Sequence, residues 1–418
     1  MNPTIVQRTE EDGVMKFTIN QINTSFANAI RRIILSEIDC FVFKTSPYEQ
    51  NKCTIHVNTS RLNNEIIKQR LSSIPINIKD SDFPIADYIL EVNVKNDSDV
   101  IKIVTTEDFK IKNIHTGQYI SQQQVHRIFP PNIISGDYID FVRLRPKISD
   151  DIDGEHIKLE CAFDIGNSKQ DGTFNVVSCC SYGATPDPVE INSQWSIKQS
   201  QLASEGVTPE EIAYAKKDWY NLEAQRYYIK DSYDFTIETV GIYENIELVR
   251  KACLIMIKKF QKLAESLQTN PGLIADLNDN TLYMAFEIIL EKEDYTLGKA
   301  LECILYEKFF YPLTENGPLS YCGFRKPHPH IDISLIRIAF VYQEPSRPDS
   351  RSDSRTHSGG AGDSASAAEN ESGSKSSTRQ SGDDKLFYNE YRQKVLSIVL
   401  QSIDIGVEVF TKIYEDFK

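Results

Sequence analysis

Apolar positions along the chain switch between a two-residue period and a helical one, and the switches mark elements. Met15, Phe17 and Ile19 alternate with polar residues and predict a strand over 14–21. Asn23, Thr24 and Ser25 then offer helix caps. Phe26, Ile30, Ile33, Ile34 and Ile38 follow as one apolar helical stripe, with Arg31, Arg32 and Glu37 off it or at its edge. A strand over 53–58 comes next, then a short helix over 62–71 that stops before Pro75. From about residue 79 to 230 strand-like runs at 86–94, 100–105, 139–144, 156–164 and 173–181 are separated by turn residues, a mostly β region. Inside it, Thr208 and Glu211 form a capping box around Pro209 and open a helix through about Tyr220.

Residues 233–240 alternate again. Ile246, Val249, Cys253, Met256, Phe260, Leu263 and Leu267 then recur at alternating steps of three and four, a helical seam. At the α-helical rise it is about 33 Å long. A second cycle begins with a strand over 281–289. Glu293, Asp294 and Thr296 open a helix, the acids suiting its dipole and the threonine a candidate cap. That helix carries Leu297, Leu301, Ile304 and Leu305. A loop with Pro312, Asn316-Gly317-Pro318 and Gly323 leads to a strand over 332–341. Leu396, Val399, Ile403, Gly406, Phe410, Ile413 and Phe417 repeat the seam's spacing. Before them, 344–384 holds twelve serines and no Leu, Ile, Val, Phe, Tyr or Trp, so it is expected to be a disordered loop.

The order strand, stripe helix, strand, seam helix thus occurs twice, which predicts an α+β fold of two half-domains. Two long apolar helix faces predict pairing with one another; each packing only on its own sheet is the other reading. Gly406 permits close helix approach or is simply a weak spot.

At 418 residues the chain is too long for one core, so two or three domains are expected. No apolar run is long enough to span a bilayer, and Met1 to Arg8 lack the apolar stretch of a secretory signal, so an intracellular protein is expected. The eight cysteines form no Cys-x-x-Cys pair, and Cys179 and Cys180 read as opposite faces of one strand rather than a redox site. His328 and His330 flank a proline with no third ligand nearby, a weak metal signal. No phosphate loop, nucleophile elbow or acidic metal triplet is evident, so no catalytic residue, cofactor or metal is expected. A net charge of −14 argues against phosphate-backbone binding and for protein partners.

The stretch Asn23-Thr24-Ser25-Phe26-Ala27-Asn28-Ala29-Ile30-Arg31-Arg32-Ile33-Ile34-Leu35-Ser36-Glu37-Ile38 resembles the signature of the alpha-like subunits of multisubunit RNA polymerases: bacterial alpha, its archaeal counterpart and the third-largest subunit of eukaryotic RNA polymerase II. The family's next signature, ending in an Arg-Leu-Gly-Leu-Ile-Pro turn, is echoed from Asn58-Thr59-Ser60-Arg61-Leu62 to Arg70-Leu71-Ser72-Ser73-Ile74-Pro75. Gly154 to Glu160 resembles the insertion-domain strand before a Gly-x-x-Lys loop, here Gly166-Asn167-Ser168-Lys169, with Gln170-Asp171-Gly172 where the family has His-Ala. Glu293 to Leu301 and Tyr321 to Pro329 are similar to the smaller partner of the alpha-like pair, in its archaeal and eukaryotic forms.

The resemblance implies both partners in one chain, as in large DNA viruses. It implies a first dimerisation half over 1–78 and 230–270, an insertion domain over 79–229, and a second half over 276–343 and 385–418. The two halves would pair intramolecularly through their long helices, with no homodimer. The implied role is a non-catalytic assembly platform whose partners are the two largest polymerase subunits and other small ones, with no direct DNA or membrane binding. It acts in the nucleus if cellular, or in the cytoplasmic viral factory and virion if viral. Arg31 and Arg32 would contact a large subunit; a solvated basic face is the plainer reading. Some relatives bind zinc near the start of the insertion, but 79–120 contains no cysteine, so none is expected. The rival reading is a self-contained DNA-binding or regulatory scaffold on the same fold, which needs a basic surface. An enzyme is a remote third.

Overall fold

The computed structural model describes residues 1–79, 83–149, 153–277, 282–311, 313–314, 317–342 and 382–418. Thr281, Pro312, Asn316 and the expected loop 344–384 lie outside them, except that 382–384 open the last helix.

The chain begins with the hairpin β1 (Thr4–Glu11) and β2 (Val14–Asn20), then α1 (Thr24–Ser36), β3 (Cys40–Val42), β4 (Cys53–Asn58) and α2 (Asn64–Ser72). Next come β5 (Tyr88–Lys95), β6 (Lys102–Thr105), β7 (Lys110–Asn113), α3 (Gln122–Ile128), β8 (Asp140–Leu144), β9 (His156–Ala162) and β10 (Asp164–Gly166). Strands β11 (Val177–Pro186) and β12 (Tyr228–Thr239) flank a helical hairpin, α4 (Pro188–Ser204) and α5 (Pro209–Asn221). The long helix α6 (Asn245–Thr269) is followed by β13 (Ile274–Leu277), β14 (Ala285–Glu291), α7 (Tyr295–Phe309), β15 (Leu319–Arg325), β16 (Ile333–Phe340) and α8 (Gly382–Asp416).

Contacts divide the chain into two compact units, Met1–Lys262 with Asp404–Lys418, and Leu263–Ile403. The last turns of α8 therefore group with the first unit, whereas the sequence pattern alone attached them to the second cycle.

In the first unit an antiparallel sheet has the order β1-β2-β12-β11. Its register sets Met15 opposite Ile237 and Phe17 opposite Phe235, so one face is continuously apolar and buried. Helix α1 lies against β11 and β12. A second sheet, β4-β9-β5-β7, and the ribbons β6–β8 and β10–β3 join strands between residues 79 and 229 to β3 and β4, which precede them in the chain. Its core includes Phe43, Phe109, Phe129 and Phe141. The α4–α5 hairpin has its own small core around Trp195 and Trp219.

The second unit carries one antiparallel sheet in the order β13-β14-β16-β15, with α7 against β15 and β16. Each unit thus shows an α+β arrangement, and the two sheets share one order: first strand, second, fourth, third.

Several elements escape the sequence pattern for identifiable reasons. Strand β1 is an edge strand exposed along most of its length, so it shows no alternation. Helix α4 buries only Ile191 and Trp195 and has no stripe. Strands β3 and β13 and helix α3 are too short for a period to register. The strand expected at 173–181 begins at Val177, because Gly172–Phe174 forms a turn of tighter helix. Thr296 does not cap α7; Asp294 does, accepting from the Thr296 N–H at 2.8 Å.

Candidate assembly interface

Helix α1 is set at its start by Asn23, whose Oδ1 accepts from the Ser25 N–H at 2.9 Å. It buries Phe26, Ala27, Ala29, Ile30, Ile33 and Ile34. At its other end Glu37, nearly enclosed, is held between Lys259 of α6 at 2.9 Å and Lys169 at 3.5 Å. Two cations give this half-buried carboxylate the compensation it needs. The loop after β10 closes the same end. The Lys169 N–H donates to the Ser36 carbonyl at 2.8 Å, and Asn167 Nδ2 donates to Asp39 Oδ1 at 2.8 Å. Tyr243, just before α6, donates its hydroxyl to the Asp39 carbonyl at 2.8 Å. Burial, with Cys40 and Asp39 adding to it, pushes this phenol up to about 12.

The final turns of α8 complete the unit. Phe410 lies between Phe26 of α1, ring centroids 5.3 Å apart, and Phe260 of α6, at 6.2 Å. Phe417 meets Phe17 of β2 edge-on at 5.0 Å. Arg250 Nη2 donates to the Tyr414 hydroxyl at 2.9 Å, with the guanidinium over that ring. Arg250 facing Tyr414 and Phe260 facing Gly406 and Phe410 mean that α6 and this part of α8 run antiparallel. A Cβ on Gly406 would come within 2.6 Å of Phe260 Cζ, so the glycine is a site of close approach.

Seam positions Ile246, Val249, Cys253, Met256, Phe260, Phe410, Ile413 and Phe417 fall in the first unit, and Leu263, Leu267, Leu396, Val399 and Ile403 in the second. All are buried except Ile246 and Leu396, which are half-buried. The buried faces are wider than the seams, because Leu248, Ala252, Val395, Ile398, Ser402 and Val409 are enclosed as well.

Arg31 is half-buried, and its Nε and Nη2 both donate to Asn28 Oδ1, at 3.1 and 2.9 Å. It stands near Cys180 and Tyr182 of β11, where its charge opposes the rise that burial imposes on both. Arg32 is half-buried beside it. Sequence reasoning missed the Glu37–Lys259–Lys169 brace and Tyr243. Only Glu37, noted at the edge of the stripe, carried any signal.

Burial pushes Cys40, Cys180 and Cys322 up to about 12, and raises Cys253 too, so these thiols stay protonated. Cys180 is buried and Cys179 half-buried on β11. His328 and His330 share an exposed turn in which the His330 N–H donates to His328 Nδ1 at 3.2 Å. Among the described residues no group of three or more His, Cys, Asp or Glu is placed to hold a metal ion. What the arrangement does is hold α1, α6 and the last turns of α8 against one sheet.

Comparison with known proteins agrees with that geometry. The family profile described as RNA polymerase Rpb3/Rpb11 dimerisation domain matches residues 16–260, from β2 through most of α6. A conjugation stage-specific protein of Tetrahymena thermophila is 23% identical over 303 residues, which cover 62% of this chain and 93% of that protein. Subunit RPAC1 of the DNA-directed RNA polymerases I and III of Mus musculus is 23% identical over 307 residues, covering 63% of this chain and 83% of the mouse protein. Subunit 3B of the RNA polymerases IV and V of Arabidopsis thaliana is 38% identical over 74 residues, 18% of this chain and 21% of that protein.

Proposed function

The chain belongs to the RNA polymerase Rpb3/Rpb11 dimerisation-domain family, and from that premise we propose that it fuses both alpha-like partners into one non-catalytic subunit on which a DNA-directed RNA polymerase assembles. The observation that carries this reading is the repeated sheet order, β1-β2-β12-β11 and β13-β14-β16-β15, each with a stripe helix on its last two strands. The second sheet lies outside the residues matched by the family profile, so the fusion rests on topology and on the resemblance of Glu293 to Leu301 and Tyr321 to Pro329. In this reading 1–78 and 230–270 form the larger partner's half, 79–229 its insertion, and 276–343 with 385–418 the smaller partner. A large-DNA-virus source, with action in the viral factory and virion, belongs to the same reading.

Fusion fixes a one-to-one ratio and replaces a bimolecular encounter by an intramolecular one, at an effective concentration of roughly millimolar. The folded base docks the two large subunits, which carry the catalytic chemistry. Arg31 and Arg32 supply positive charge for acidic groups of one of them.

Purification through a tag on this chain tests the proposal. The expected result is recovery of two very large subunits in equal stoichiometry, lost when Val249, Phe260 and Leu263 are replaced by aspartate. Recovery of the wild-type chain alone, free of large partners, would overturn it.

A further inference from the structure

The insertion carries a surface that the assembly reading leaves unused. In the ribbon β6–β8, Ile103 pairs with Arg143 and Val104 with Val142. Val104, Val142 and Leu144 are buried in the insertion core. Alternation along each strand therefore turns Ile103 and Arg143 outward, with Ile101 and Arg145 two residues away on the same sides. Ile101 is 62% exposed and Ile103 44%. The outer face is a column of isoleucines beside a column of arginines.

A groove of about 460 Å³ opens on this face. Leu62, Ile101 and Phe141 give it an apolar lining, and Arg61, Arg70, Arg143 and Arg145 give it charge. Arg70 is fixed by donating to the carbonyls of Phe141 and Asp140, each at 2.7 Å, and has no ion pair among the described residues. Arg145 is paired with the buried Glu155 at 2.5 Å. Arg143 reaches the exposed Asp140 only at 3.5 Å. Arg61 is exposed and has no hydrogen bond or ion pair among the described residues. The groove's lining thus holds four guanidinium groups and one carboxylate, Asp140, in a chain whose net charge is −14.

Exposed Ile101 in a groove lined by guanidinium groups, two of them anchored, with Ile103 opposite Arg143 on the adjoining ribbon, fits a ligand that brings both apolar side chains and carboxylates. Guanidinium forks take carboxylates in paired hydrogen bonds, and the isoleucines gain by being covered. Nucleic acid needs a longer basic track and gains nothing from isoleucine. We propose that this groove docks an acidic peptide segment with interspersed apolar side chains, contributed by a partner protein. The proposal goes beyond the assembly reading and does not depend on it.

Titration of the full chain with a fluorescein-labelled peptide of alternating glutamate and leucine, followed by anisotropy, tests it. Saturable binding that weakens with added salt is expected. Ile101→Ser combined with Arg143→Glu, both at exposed positions, lowers the affinity at least about tenfold with the thermal midpoint unchanged. Should that pair disturb folding, Arg61→Glu at an unpartnered position gives the same direction of change. Peptides of glutamate with serine, or lysine with leucine, bind more weakly. Absence of saturable binding, equal binding by the variants, equal binding of the lysine–leucine peptide, or displacement by a single-stranded oligonucleotide at lower concentration would each overturn the proposal.

Discussion

Helices α1 and α7 occupy the same step of the same sheet order, one in each unit, and every buried position of α1 has a buried counterpart in α7, which adds Thr296. Phe26, Ala27, Ala29, Ile30, Ile33 and Ile34 match Leu297, Gly298, Ala300, Leu301, Ile304 and Leu305, all buried. The differences lie in two places. Where α1 has Ala27, α7 has Gly298, and the Phe324 ring fills the space a Cβ would take, at 2.0 Å. Where α1 has Arg31 and Arg32, α7 has Glu302 and Cys303. Glu302 is committed to its own unit: it accepts from the Phe324 N–H at 3.0 Å and pairs with Lys299 at 2.5 Å. Among the described residues the Arg31 guanidinium bonds only within its own helix, to Asn28. The stripe fixes how each helix packs, and the residues beside it differ in what they bind: Glu302 reaches β15, Arg31 its own helix.

The largest break in this comparison comes at Phe410, the ring that joins α8 to α1 and α6. Phe410→Ala removes contacts to Phe26 and Phe260 together and should destabilise the chain by about 3–5 kcal/mol, read as a lowered urea midpoint. A loss below about 1 kcal/mol would mean that the cavity collapses and that the two rings do not depend on Phe410.

A smaller effect separates the two stripe helices. Gly298→Ala forces a Cβ into the Phe324 ring, an overpacking cost of about 1–3 kcal/mol that outweighs alanine's better helix propensity. Phe324→Leu in the same chain should relieve much of it, so the double-mutant cycle should show a coupling of opposite sign to the single losses. Additive losses would show that Gly298 is not there for Phe324.

How much of this was legible in the sequence follows from the same physics. Stripes and seams are local periods, and they located α1, α6, α7 and the later part of α8, though the buried faces of α6 and α8 are wider than their seams. Pairing order is not local. Sequence gives no register for β1 against β2 or for β13 against β14, and both edge strands passed unnoticed. Glu37 was visible at the edge of a stripe, but its partners Lys259 and Lys169 are far away in the chain and carry no periodic mark. Thr296 looked like a cap because hydroxyls often are, yet Asp294, two residues earlier, reaches the free N–H first. The groove beside β6–β8 gathers Arg61 and Arg70 with Ile101, Arg143 and Arg145, residues far apart in the chain with no signature in any one segment.

The finest test of the comparison asks whether the charged positions differ as their bonding implies. Glu302→Ala removes an acceptor from the partly enclosed Phe324 N–H, and a hydrogen bond to a charged group contributes about 1.5–3 kcal/mol. A loss near the lower end is expected, since the carboxylate is not fully enclosed. Arg31→Ala gives up hydrogen bonds to a neighbour one helical turn away on a half-exposed surface, so its cost should stay within about 0.5 kcal/mol. Urea midpoints of the two variants measure this difference directly. Co-purification supplies the second axis, because Arg31→Ala should reduce recovery of the large subunits and Glu302→Ala should not beyond what its stability loss explains. If Arg31→Ala instead lowers stability as much as Glu302→Ala and leaves recovery intact, the arginine belongs to the fold of its own unit. The surface beside α1 would then be as closed as the one beside α7.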